Sequence, residues 1–413
     1  MDIKKVIVGL TFSLLFCNGA VYANVDRAIG YFEAGEYKAA YKEFLPAAEA
    51  NDEIAQYYLA TMYADGLGVP ANKQLSWMWY EYAAEQGLSF AQHFTGNNYL
   101  KGTGVDQNYK TAVKWYTLAA EQELSIAQHK LGFIYYSGLG VEQNYKTAAE
   151  WFTLAADQGN GDAQFNLGLM YLYGSGIPED AKTAVKWFTL AAEQGGADAQ
   201  YNIAVIHDTG RGVPEDDKTA AKWYTLAAEQ GYADAQYILG LRYSDGTGVL
   251  KNDKTALKWY TLAAEQGLDT AQYNLGHMYY NGLSVLKNDK TALKWYTLSA
   301  EQGLDRAQYN LGVIYDNGFG VPEDDRAAVK WFTLAAEQGY ADAQSNLGSM
   351  YEMGDGALAD YIRAYMWYNL AAYGGSESGS VGRKSLAKEM TPADIAKAQE
   401  MSSICLDSNY TDC

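Results

Sequence analysis

Few residues in this chain have the types and spacing for chemistry. Ser385-Leu386-Ala387-Lys388 has the form serine-x-x-lysine, in which a lysine one turn away activates a serine nucleophile. No Lys-Thr-Gly or Ser-Asp-Asn segment accompanies it, and a match this short arises readily by chance. The four histidines are His93, His129, His207 and His277. They form no H-E-x-x-H motif and no cluster with cysteine, so no metal site is expected. His93 and His129 share a position held elsewhere by Tyr57, Phe165, Tyr201 and Tyr237, and His207 replaces the tyrosine equivalent to Tyr171 or Tyr243. They read as aromatic substitutes in a packing slot. Carboxylates recur as Glu85, Glu121, Asp157, Glu193, Glu229, Glu265, Glu301 and Glu337. An acid present in every unit of a pattern is structural, placed to meet N–H groups of the following helix, and is not a general acid. No catalytic residue and no cofactor are assigned.

Binding residues are better represented. Asn166, Asn202, Asn274, Asn310 and Asn346 share one position, filled elsewhere by Tyr58, Phe94, Lys130 and Ile238. An asparagine offers both a donor and an acceptor and can hold an extended peptide by its backbone. The same column could instead hydrogen-bond adjacent repeats to one another. A second column varies freely and includes Lys101, Tyr173 and Asp245, with neighbours Leu100, Tyr136, Asp208 and Glu352. A scaffold does not dictate such positions, so they are exposed or shaped by a partner.

The elements that must position these residues repeat every 36 residues. Nine of ten tryptophans, Trp79, Trp115, Trp151, Trp187, Trp223, Trp259, Trp295, Trp331 and Trp367, lie one period apart. A stack of equivalent helix pairs needs such an anchor, buried against the neighbouring pair. In residues 161–196, Ala163, Leu167, Met170 and Tyr171 mark one helical face, and Ala184, Trp187, Phe188 and Ala191 a second. Glycine pairs such as Gly174 and Gly176 end the first helix, with Ser284 the one replacement at the second site. Asn or Asp, as in Asn72 and Asp180, precedes the second helix as N-cap. Glycine ends the second helix everywhere but Glu123. A further glycine, such as Gly132 or Gly168, sits inside the first helix in seven of nine units, with Ala60 and Ala204 otherwise. Mid-helix glycine costs about 1 kcal/mol against alanine, so a close helix crossing is expected there.

The phrases A-Q-x-N-L-G-x-M-Y, G-x-G-V and A-x-K-W-Y-x-L-A-A-E-Q-G resemble the SEL-one-like repeat family, a relative of the tetratricopeptide repeats, over about residues 25–400. The resemblance implies an all-α fold, a right-handed α-solenoid superhelix of helix-turn-helix units, and a role as an adaptor that binds protein or peptide in a groove. It also implies a bacterial secreted or periplasmic setting. Residues 1–23 read as a signal peptide: Lys4 and Lys5, then an apolar run from Val6 to Phe16, then Val21-Tyr22-Ala23 before a cleavage point. Residues 24–52 read as an N-terminal capping pair and 53–376 as nine repeats. Residues 377–413 read as a loop over 377–384, a closing helix with Thr391 as N-cap and Pro392 at its first position, and a tail.

The net charge of −19 argues against nucleic acid and anionic lipid, and no later segment is apolar enough for stable membrane insertion. A monomer is expected. Cys405 and Cys413 either form a disulfide or remain free thiols in a frayed tail. Two alternatives stand beside the adaptor: a cell-envelope enzyme or binder acting on peptidoglycan or β-lactam through Ser385, and a glycan binder using some of the 36 tyrosines.

Overall fold

The computed structural model describes residues 25–411 and 413, and the signal-peptide expectation therefore lies outside the described residues. Among them are 22 helices and no strand. Helices α1 (Val25–Glu33) and α2 (Tyr37–Glu49) open the chain. Nine pairs, α3 to α20, follow from Glu53–Asp65 with Lys73–Glu85 through Ala341–Met353 with Tyr361–Tyr373. Helices α21 (Glu377–Leu386) and α22 (Pro392–Asp407) close it. The fold is an all-α solenoid. Two compact units divide it: described residues up to Ala199 with Arg211–Val213, and Gln200–Gly210 with Pro214–Cys413. Among the described residues no helix is long and apolar enough to cross a membrane.

Helix ends follow the residue pattern. Asn108 accepts from the Thr111 N–H at 3.0 Å, and Asp180 from Lys182 and Thr183 at 3.0 and 3.1 Å. First helices stop at glycines in the left-handed region, such as Gly138 at φ 72°. Glu123 and Ser284 take the same region with side chains, at φ 63° and 57°. The second glycine of each pair does more than turn the chain. A Cβ on Gly68 would lie 2.7 Å from the Tyr37 carbonyl carbon, so this loop rests on the start of the preceding pair's second helix.

The mid-helix glycines face a ring. A Cβ on Gly132 would sit 2.5 Å from the Phe152 ring, on Gly168 2.9 Å from Phe188, on Gly276 2.9 Å from Tyr296 and on Gly312 2.5 Å from Phe332. Each glycine therefore seats the large aromatic of its own pair's second helix. Tyr116, Phe152, Phe188, Tyr224, Tyr296 and Phe332 are at most 1% exposed. The tryptophans are not equally buried, which corrects the sequence expectation. Trp79, Trp259 and Trp367 are buried and the other six of the ladder are half-buried. They pack across repeats at the rim: Trp115 with Ala83 and Ala84, Trp151 with Ala119 and Ala120, Trp259 with Ala227 and Ala228.

Repeats are also joined by amides. Buried Gln128 donates to the Ala120 carbonyl at 3.2 Å and accepts from Gln158 at 2.8 Å; Gln164 and Gln194, Gln236 and Gln266, and Gln272 and Gln302 pair likewise. The chain of amides stops at Gln344, whose Oε1 is buried without a partner because Gly374 stands where the next glutamine would be. The recurring acids do not serve this purpose. Glu85, Glu121, Glu193, Glu229, Glu265, Glu301 and Glu337 are exposed, and the neighbouring glutamine makes the inter-repeat bond.

The expected loop over 377–384 is helical. Ser376 caps α21, accepting from the Gly379 N–H at 3.3 Å, and Gly379 and Gly382 let it lie against Ala371 and the Tyr368 ring. Thr391 caps α22 as expected, with Pro392 at its start. Helix α22 covers Met366 and Leu370, its Ser402 hydroxyl donating to the Met366 carbonyl at 3.3 Å. The equivalent Lys330 and Leu334 are exposed. Cys405 and Cys413 are joined as a disulfide behind this helix.

Two substitutions test these contacts. Gly132→Ala would stabilise an ordinary helix by about 1 kcal/mol, but here the methyl meets Phe152. The expected result is a net loss of about 1–2 kcal/mol in urea unfolding. Glu123→Gly relieves a left-handed side-chain residue and is expected to add about 1 kcal/mol, read as a higher urea midpoint.

Candidate functional site

With rings, alanines and glutamines committed to packing, the candidate binding side chains lie on the first helices. Lys101, Tyr173 and Asp245 are all exposed, each at the end of a first helix in a different repeat. The structure does not gather them into one site. Tyr173 is 63% exposed, with the Arg211 guanidinium 5.5 Å from its ring centre and Arg211 paired to Glu179 at 2.9 Å. Asp245 accepts from the Thr247 N–H at 2.8 Å.

The asparagine column is half-buried at Asn166, Asn202, Asn274, Asn310 and Asn346, and much of it links repeats. The Asn166 amide lies 3.0 Å from His129 Nε2. Burial pushes the Tyr260 and Tyr296 phenols above their ordinary range, and hydrogen bonds from Asn274 and Asn310 of the following repeat offset part of that rise. Burial likewise raises Tyr309, which Asn346 partly offsets. Each amide still has further donor and acceptor capacity.

Asn310 reaches a cleft of about 290 Å³ in the second unit. Tyr273, His277, Asn281 and Tyr296 line it from one repeat, Asn310 and Val313 from the next. The lining is aromatic and amide-rich and carries no carboxylate or lysine. His277 is exposed here, at a position that varies from Phe133, Leu241 and Val313 to Thr61, Asn97 and Ser349 in other repeats. It is therefore not an aromatic substitute in a packing slot, and burial of part of its ring lowers its pKa. This arrangement can stack on a flat neutral group and hydrogen-bond to it.

One constellation escaped the sequence reading. Arg242 is buried against Asp208, 3.2 Å from Asp217 Oδ1 and 5.3 Å from the Tyr224 ring centre. The available signal was an arginine in a column that is otherwise methionine or isoleucine, as at Met170, Ile206, Met278, Ile314 and Met350, except for Asn98. Ser385 and Lys388 are both exposed at the end of α21, and the Ser385 hydroxyl has no hydrogen-bond partner among the described residues. No group of three or more His, Cys, Asp or Glu among the described residues could hold a metal ion.

His93 does occupy the packing slot. Its Nε2 lies 2.9 Å from the Asn97 amide, whose oxygen accepts from the Tyr116 hydroxyl at 2.8 Å. Burial, and secondarily Lys130, lowers its pKa from 6.5 to about 4. The unfolded chain then binds a proton that the folded chain refuses between those values. The stability contribution is whole above pH 6.5 and is lost as pH falls towards 4. His93→Phe, which copies Phe165, is expected to flatten that part of the stability profile in urea unfolding at pH 7, 5.5 and 4.

Comparison with known proteins agrees with this architecture. A family model for the Sel1 repeat matches residues 54–88, 89–124, 125–160, 161–196, 197–232, 233–268, 269–304, 305–340 and 341–376. Among solved structures, a protective antigen present in uropathogenic Escherichia coli strains, displaying an SLR fold, is 34% identical with a TM-score of 0.80, over 94% of this chain and 84% of that one. A Sel1 repeat protein from Oxalobacter formigenes is 34% identical with a TM-score of 0.57, over 75% of this chain and 89% of its own. A comparison with curated proteins found no match. Sel1 repeats commonly form scaffolds for protein interactions. With nine consecutive matches to the repeat spanning most of its length, the chain belongs to the Sel1 repeat family.

Proposed function

We propose that this chain is a non-catalytic scaffold of the cell envelope, or a secreted one, which binds a protein or peptide partner along its first helices. The carrying observation is the division of labour within the repeat. The recurring rings, alanines and glutamines are spent on packing, while varying side chains such as Lys101, Tyr173 and Asp245 are exposed on first helices. The cleft around His277 and Asn310 adds a place where a peptide can be held by side chain and backbone together. Affinity in this reading sums over several weak contacts along the face. The signal-like residues 1–23 support export. The Escherichia coli relative is described as a protective antigen, which fits an accessible location for this chain as well.

Site-specific photo-crosslinking tests this reading in the native envelope. A crosslinker at position 277 is expected to capture a defined protein partner, and one at position 294, on a second helix, is not. Equal capture at both positions, or none at 277, overturns it. Capture of a glycan alone at 277 selects the carbohydrate reading instead.

A further inference from the structure

One slot in the repeat is held by glycine in a single place. In several repeats the residue 31 positions after the first-helix aromatic lies beside that aromatic from the next repeat, whereas Asn160, 31 after His129, caps its own helix. Tyr232 stacks on Tyr201 with ring centres 4.8 Å apart, and Tyr340 lies on Tyr309 at 5.0 Å. Leu88 and Tyr57 border the same small core cluster, as do Leu268 and Tyr237, and Leu304 and Tyr273. The counterpart over Phe165 is Gly196. Without a side chain there, Phe165 lies against a cleft of about 260 Å³. Asn160, Gln194, Asp162 and Asp198 line it as well, the last two being exposed carboxylates.

The geometry points to this cleft as a receptor for an aromatic side chain of a partner peptide, flanked in the partner by lysine or arginine. The incoming ring would stack on Phe165 as Tyr232 stacks on Tyr201, a contact favoured by burial and by ring quadrupoles. Asp162 and Asp198 at the mouth favour a neighbouring cation, in a chain whose net charge is −19. An acidic partner segment would be repelled. The inference rests on the scaffold reading and names the chemistry of one contact within it.

The chain itself supplies the blocking variant. Gly196→Tyr places in the slot the residue that repeats 197–232 and 305–340 already carry at its equivalent. The nearest atoms to a Cβ at Gly196 are the Ala191 carbonyl oxygen at 3.2 Å and the Ala199 methyl at 3.7 Å, so the variant folds with a shift of a few tenths of an ångström, checked by its circular dichroism. Gly196→Ala is the control that leaves the slot open. The probe is acetyl-Gly-Lys-Trp-Lys-Gly-amide, titrated into the whole chain and followed by shifts of the Gly196 and Ala199 backbone amides in NMR spectra. Saturable binding is expected for the wild type and Gly196→Ala, and none for Gly196→Tyr. Replacing the probe's Trp by Leu, or its lysines by Glu, should weaken binding about tenfold. Asp162→Asn with Asp198→Asn should reduce both affinity and its salt dependence. Unchanged binding to Gly196→Tyr, or no saturable binding to the wild type, overturns the proposal. The two readings fail separately. A native partner crosslinked at position 277 while the probe ignores Gly196 removes the slot and leaves the scaffold. Probe binding at Gly196 without any crosslinked partner does the reverse.

Discussion

The seating of one aromatic ring on one glycine is the contact on which each repeat depends. Phe152 over Gly132 and Phe332 over Gly312 leave no room for a methyl group. The first helix forgoes about 1 kcal/mol of helix propensity to admit the ring, and burial of a large aromatic repays more than that. Ala60 and Ala204 are the two departures, and their partners Tyr80 and Tyr224 are held at the hydroxyl by Thr61 at 2.9 Å and Asp208 at 3.3 Å.

Contacts between repeats are of a different kind. Small alanines receive the tryptophan of the next repeat, and buried glutamines bond across the same interface. A buried amide left without a partner costs about 1–3 kcal/mol, so the glutamine chain specifies register as well as adding cohesion. Helix α22 ends the series by covering Met366 and Leu370, where interior repeats present an exposed lysine and leucine. Stability in such an array is local, and each repeat is answerable mainly to its neighbours.

This economy also explains where recognition can occur. Residues fixed by the period have no freedom to follow a partner. Departures from it do: His277 in a column that varies freely, Gly196 in one of leucine, tyrosine, asparagine and serine, Arg242 in one of methionine, isoleucine and a single asparagine. The three have different fates. Arg242 is consumed internally by Asp208 and Asp217, whereas His277 and Gly196 each border an open cleft. A broken rhythm marks a place to look, and the local packing decides whether anything is left over for a ligand.

The sequence alone determined the repeat length, the helix pairs, the caps and the family resemblance. These follow from local rules, namely apolar spacing at the helical period, Asn or Asp before a helix and glycine after it. It also pointed to a close helix crossing at the mid-helix glycine, though not to the aromatic ring that fills it. The tertiary structure decided that the ring beside the tryptophan, and not the tryptophan, is the fully buried anchor. It decided too that glutamine, and not the adjacent acid, joins repeats, that 377–384 is helical, and that Cys405 meets Cys413. The buried ring and the glutamine pair depend on which neighbour lies across an interface, a relation between residues about 20 to 30 positions apart that no local pattern encodes. The same limit applied to the asparagine column and to the slot at Gly196, whose meaning appears only when Phe165 is seen beneath it.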